Sequence, residues 1–395
     1  MLFQTFDDKK NCVCVYRLDE LHFKIPQQGL SKTWSYSGFL KDQKIEYAQL
    51  YCGGQSLLEV CPKKYLKEWE EVNSRLKAFH RSIHEVNLDL NEHCFFEMVP
   101  NRFLKDYGLI KNKICAHVFN TYKRPENYDF LLSLTKIINE IKYQKLNIDL
   151  EALRPQMHKY VTRRFVKKVN NVSPYIDYNI FGTKTGRLTT KGGFPILTLK
   201  KEHRSILRPN NDWFLELDYN AAELRVLLGL LGQEQPVEDL HEWNLKNVYK
   251  NVGTRERAKK RIFAWLYNSN SNDRFSSKIY DRDSVAKKYY KDGQVTTYFN
   301  RVLEADEHHA LNYIIQSTAS DLFLRQMMKI NEQLKGRKSH VAFCLHDSLI
   351  IDFSEDDQFI LNDLKKEFAN TELGNFRVNV FAGKNYGAMK KLYIY

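Results

Sequence analysis

Residues 213–232 read WFLELDYNAAELRVLLGLLG. The first seven alternate and are rich in β-formers, so 213–219 is predicted as a strand. Asn220 is a good N-cap, and the following residues continue as a helix with Leu224, Leu227, Leu228 and Leu231 on its buried side. Asp218 is thereby placed at a strand end, directly before a helix. A second stretch, HVAFCLHDSLIIDF at 340–353, sets another acid between two apolar runs. There 341–345 and 349–353 read as strands, with His346, Asp347 and Ser348 as the turn or edge residues of a hairpin. Taken alone, each aspartate is also compatible with a surface or capping role. The two acids meet only if their strands pair or neighbour one another in one sheet. Strands and helices are mixed along the chain, so an α/β (α+β) fold is expected.

Two such carboxylates suit a pair of Mg²⁺ ions about 3.5–4 Å apart, the arrangement for in-line displacement at phosphorus. Hard oxygen ligands favour Mg²⁺ over softer metals. Between the acids lies RERAKKRIFAWLY at 255–267, with Arg255, Lys259, Phe263 and Tyr267 four residues apart. Steps of four advance about 40° around a helix, so these residues form a slanting stripe. Cations at its start suit β- and γ-phosphates. Phe263 and Tyr267 offer flat faces to a sugar or base. An amphipathic helix with core aromatics is the competing reading. A nucleotidyl-transfer enzyme accounts for the combination.

The bulk properties agree. A chain of 395 residues is long enough for two or three domains. Its net charge of +13 favours a polyanionic partner, of which nucleic acid is the commonest. No run reaches the ~18 apolar residues of a membrane span, so no membrane partner is expected. The N-terminus carries acids where a secretion signal has its basic region. Seven cysteines at irregular spacing do not make a metal site; Cys12 and Cys14 lack a second pair, and reduced or buried thiols suit a cytoplasmic, reducing setting.

Along the chain, 1–61 reads as short strands and turns (CVCVYRL, LHFKI, YAQLYCGG), with Gly53-Gly54 as a turn. From Pro62 the pattern is helical. Leu66, Trp69, Val72, Leu76, Phe79 and Ile83 make one stripe, and Leu131, Leu134, Ile137, Ile138 and Ile141 another. Arg154, Lys159, Arg163, Arg164, Lys167 and Lys168 then fall in one turn-rich helical stretch, a track for phosphates or a solvated face. The expected domains are 1–61, strand-rich; 62–174, helical; and 175–395, containing the chemistry.

These residues resemble the polymerase region of family A DNA polymerases, the group of bacterial DNA polymerase I and many phage replicases. FLELDYNAAELR resembles motif A, the R-x3-K-x3-F-x3-Y stripe motif B, and LHDS motif C. FGTKTGRLTT is similar to the T-x-TGRLS segment, LNYIIQSTASDLF to the N-x-x-x-Q-GTAAD segment, and DLHEWN to a D-I-H step. The ending VFAGKNYGAMKK matches loosely. The motifs run in order over about residues 175–392. The resemblance implies a right-hand polymerase with palm, thumb and abbreviated fingers (about 233–300), its palm a central antiparallel sheet flanked by helices. It also implies a likeness to compact phage enzymes and a monomer, in a bacterial or phage-infected cell, acting on primer-template DNA and dNTPs. Asp218 and Asp347 would be the metal ligands, with the Tyr219 carbonyl, for two Mg²⁺ ions that Mn²⁺ can replace. Arg255, Lys259, Phe263, Tyr267, Glu223 and His241 would handle the dNTP, Glu223 as the gate against a ribose 2′-hydroxyl and Arg225 as its partner or a DNA contact. Arg187, Asn312, Gln316, His346, Arg163, Arg164 and Lys167 would face DNA.

The chain departs from the family at Ser348, where Glu is usual, and at Asn268 and Ser317, where Gly is usual. In the N-terminal part, TFDDKKN and YRLDEL do not fit the D-x-E and Y-x-x-x-D signatures of a proofreading 3′–5′ exonuclease, so a vestigial or novel domain is expected there. Two other functions remain in view. One is a single-subunit RNA polymerase or primase on the same scaffold, against which Glu223 and Phe263 speak. The other is a non-catalytic DNA-binding replication protein, against which the acid pair speaks.

Overall fold

The computed structural model describes residues 1–7, 12–24, 28–86, 88, 90, 93–268 and 270–393. The chain divides into two compact units, Met1–Tyr143 and Gln144–Tyr395.

In the first unit a three-stranded antiparallel sheet is formed by Gln4–Asp7, Cys12–Arg17 and Glu20–His22. Phe6, Cys14 and Tyr16 from this sheet enter one core with Trp69 and Val72 of the Leu66–Glu85 helix and Phe103, Ile110 and Ile114 of the Asn101–Thr121 helix. The YAQLY segment, expected to be a strand, is one helical turn, Ala48–Tyr51. Gly53 and Gly54 both adopt positive φ immediately after it, as the predicted turn requires. The predicted stripe Leu131, Leu134, Ile137, Ile138 and Ile141 is buried along the Tyr128–Lys142 helix. The last residue of LHFKI, residue 25, lies outside the described residues.

The second unit is built on a five-stranded antiparallel sheet. Its order is His340–Leu345, Ser348–Phe353, Trp213–Tyr219, Val378–Gly383 and Lys390–Leu392. Trp213–Tyr219 is therefore central, paired on one side with Ser348–Phe353 and on the other with Val378–Gly383. Leu215 and Leu217 point to the buried side, where the 28-residue helix Glu307–Leu334 packs on the Ala222–Leu230 and Leu361–Ala369 helices. The opposite face carries Glu216 and Asp218, because side chains alternate along a strand. Beyond it come Leu240–Trp243, Arg255–Tyr267, two short helices at Arg274–Ile279 and Arg282–Tyr289, and a three-stranded sheet from Tyr290 to Glu304.

No helix among the described residues is long and apolar enough to cross a membrane. No disulfide joins the cysteines among the described residues.

Candidate active site

Asp218 lies opposite Ser348 on one neighbouring strand and opposite Asn379 on the other. Asp347 is the residue before Ser348, in the two-residue turn that joins His340–Leu345 to Ser348–Phe353. This is the predicted hairpin. Its first turn residue, His346, has φ 51°, a positive-first pattern that a type II′ turn uses and that glycine favours. The two acids thus reach one place from adjacent strands. They share a cleft of ≈ 390 Å³ with Tyr219, Asn220, Glu223, His241, Arg255, Lys259, Phe263 and Asn379, among others.

Burial, then the charges of Asp347 and Glu216, push the Asp218 carboxyl up to about 7, although hydrogen bonds from Ser348 and Asn379 pull the other way. Burial also raises Asp347, with Glu223 adding to it and His346 and Arg187 opposing. Such groups gain from a divalent cation, which removes the cost of holding like charges together. Among the described residues no cluster of three or more His, Cys, Asp or Glu holds a metal by itself. The donor set fits Mg²⁺ bound through one or two carboxylates and completed by substrate phosphates. The Tyr219 ring stacks on Phe368 at 4.4 Å and its hydroxyl donates to the Phe368 carbonyl, so Tyr219 offers the cleft its main chain.

Strand and helix are joined by a sharp turn. Ala221, not Asn220, is the N-cap of Ala222–Leu230; its φ is 58° and it makes no side-chain cap. Asn220 is diverted: its amide donates to Asp239 at 2.8 Å and its side-chain oxygen accepts from the Leu240 N–H at 2.8 Å. Arg225, 0% exposed, donates to the carbonyls of Asn220, Pro236 and Glu238. It therefore braces this turn and is neither a partner of Glu223 nor exposed to DNA.

Glu223 has two other partners. Arg187 forms an ion pair with it at 2.7 Å, and the Tyr267 hydroxyl donates to its second oxygen. Arg255 is held by Asp239 through two hydrogen bonds of 3.0 and 2.8 Å. Despite burial, these contacts keep the Asp239 carboxyl well below the usual range. Lys259 makes no ion pair among the described residues. Phe263 stacks on Tyr267 with ring centroids 6.1 Å apart and meets the His241 ring at 5.8 Å. Burial lowers His241 to about 4, and its buried Nδ1 has no hydrogen-bond partner.

The remaining sequence candidates do not line the cleft. His346 is exposed at the turn, while Asn312 and Gln316 lie half-buried on the Glu307–Leu334 helix. Arg163, Arg164 and Lys167 are exposed on Tyr160–Val169, and Arg163 donates to the carbonyls of Met157 and His158. Sequence reasoning missed Asn379 and Glu216. The only available signal for either was register: each shares a sheet face with Asp218.

The profile described as DNA polymerase family A matches residues 287–388, which include Asp347. DNA polymerase I of Borreliella burgdorferi is 24% identical over 77% of this chain and 44% of its own length. The thermostable DNA polymerase I of Thermus filiformis is 26% identical over 45% of this chain and 28% of its own.

The chain is similar to DNA polymerase family A over residues 287–388. It spans less than half the length of these curated relatives. The polymerase domain of M. smegmatis Pol1, solved in complex with DNA primer-template and dNTP, has the same fold. It superposes with a TM-score of 0.64 over 88% of this chain and 82% of its own, at 14% identity. This shared fold accounts for a central antiparallel sheet that brings distant acids to one face.

Proposed function

We propose that this chain is a template-directed DNA polymerase of the family A type that extends a primer 3′ end with dNTPs by two-metal-ion nucleotidyl transfer. The observation that carries this reading is the meeting of Asp218 and Asp347 from adjacent strands in a cleft also lined by Arg255, Lys259 and Phe263. Asp218, Asp347 and the Tyr219 carbonyl would hold two Mg²⁺ ions, or Mn²⁺ in their place. Bound there, the ions would lower the pKa of the primer 3′-hydroxyl and neutralise the leaving pyrophosphate. The chain's own part is positioning. Lys259 takes the β- and γ-phosphates, with Arg255 once it exchanges Asp239 for them. Phe263 and Tyr267 carry sugar and base, with His241 beside Phe263. Glu223, fixed by Arg187 and Tyr267, crowds the 2′ position and selects deoxyribose. Arg163, Arg164 and Lys167 track the DNA backbone, and Asn312, Gln316, Arg187 and His346 lie toward the primer-template.

The protein would act as a monomer without proofreading. Cysteines without disulfides among the described residues support a cytoplasmic, reducing setting. Primer extension with Mg²⁺ tests the function: dNTPs should be incorporated in preference to rNTPs, and Asp347→Ala should abolish extension. Wild-type protein that binds primer-template and extends nothing would leave the non-catalytic reading standing. End-labelled single-stranded DNA should stay intact at its 3′ end, and metal-dependent shortening would show proofreading.

A further inference from the structure

On the Asp218 face of the sheet, Glu216 stands two residues back on the same strand, diagonal to Ser348. The Ser348 hydroxyl lies 2.7 Å from Glu216 Oε1 and 3.2 Å from Asp218 Oδ1. It has one proton for two carboxylates, and the shorter contact takes it. Asp218 then keeps only the longer, shared contact from Ser348 beside its hydrogen bond from Asn379. Glu216 is half-buried, and no Lys, Arg or His among the described residues forms an ion pair with it. Among the described residues, Ser348 is the one hydrogen-bond donor to its side chain. A half-buried carboxylate beside two others, with no protein cation, is costly unless a cation arrives from outside.

We propose that Glu216, acting through Ser348, is a positioning residue of the divalent-cation site. It fixes the serine hydroxyl so that Asp218 keeps its oxygens for the ion, and it adds a third negative charge close to that ion. This rests on the assignment of Asp218 and Asp347 as cation ligands under the proposed function.

The test uses the full chain and Mn²⁺ alone as the probe, followed by electron paramagnetic resonance in the absence of DNA and nucleotide. Glu216→Gln, which keeps the shape and removes the charge, should weaken Mn²⁺ binding roughly tenfold, because the field of a nearby charge is strong at the effective dielectric of such sites. Ser348→Ala should weaken it less. The Mg²⁺ concentration for half-maximal primer extension should rise by a similar factor in Glu216→Gln, with kcat at saturating Mg²⁺ changed little. Thermal melting and duplex binding check that both variants are folded. A purely structural Glu216 would shift the melting temperature and leave Mn²⁺ affinity untouched. Unchanged Mn²⁺ affinity in folded Glu216→Gln overturns the proposal, even if the wild type extends primers. Loss of Mn²⁺ affinity in a protein that never extends primers supports it while removing the polymerase reading.

Discussion

Arg187 and Glu223 form an ion pair at 2.7 Å, and Tyr267 holds the other oxygen of the same carboxylate. One residue comes from the segment before the central strand, one from the helix after it, and one from the Arg255–Tyr267 helix. Glu223 is thus clamped from two directions at the rim of the cleft, and a clamped side chain excludes a substituent better than a free one.

Glu223→Ala should therefore admit ribonucleotides. The ratio of kcat/KM for dNTP over rNTP should fall by roughly 10²-fold, the scale on which a shaped pocket discriminates a single group. Tyr267→Phe removes one of the two supports and should reduce the ratio by only about fivefold, near the value of one hydrogen bond. Equal ratios in Glu223→Ala and wild type would remove the gate assignment.

Asp218→Asn and Asp347→Ala should each lower kcat for primer extension by at least about 10³-fold, as expected when a group that stabilises transition-state charge is removed. Duplex affinity, measured by fluorescence anisotropy, should change little. Extension at wild-type rate by either variant would refute the two-metal assignment.

The Asp218 carboxyl, pushed up to about 7, also affects stability. Below about pH 4 the group is protonated in both folded and unfolded chains and contributes no difference. Between pH 4 and 7 the unfolded chain releases the proton and the folded chain retains it, so metal-free stability falls as pH rises. The loss is at most roughly 1.4 kcal/mol for each pH unit climbed. Asp218→Asn should remove that slope. Urea unfolding in EDTA should therefore give a wild-type deficit against Asp218→Asn that grows from pH 4 to 7 and shrinks when Mg²⁺ is added.

Arg225→Ala leaves several buried carbonyls without a donor and should cost about 3 kcal/mol, read as a lower urea midpoint. Arg225→Lys should recover little, because a point ammonium cannot serve the same fork of acceptors. A variant as stable as wild type would show that the turn at Ala221 needs no brace.

Local signals in the sequence carried much of this. The alternation at 213–219 and the two apolar runs around Asp347 imply the strands, and the two acids at their ends are enough to suggest their meeting. The four-residue stripe from Arg255 is a helix as read. What stayed hidden depended on partners distant in sequence. Asn220 looks like a cap, but its side chain is drawn to Asp239 and Leu240, whose positions no local pattern gives. Arg225 reads as a partner of Glu223 or a DNA contact until three carbonyls close around it. Glu216 and Asn379 acquire meaning only once strand register is known. The Asn101–Thr121 helix, with Phe103, Ile110, Ile114 and Val118 buried at helical spacing, was open to the same periodicity argument as its neighbours and went unread.

The turn at His346-Asp347 bounds how this site can change. Two residues separate paired Leu345 and Ser348. Adding or deleting one residue on the Ser348 side would turn every following side chain of that strand to the opposite face, sending Ser348 and Ile350 inward and Leu349 and Ile351 out. The surroundings of Asp347 can therefore drift by substitution but not by change of length. Insertions in natural variants of this chain should fall in the connections on the far side of the sheet, and the spacing from Leu345 to Ser348 should be the last to vary.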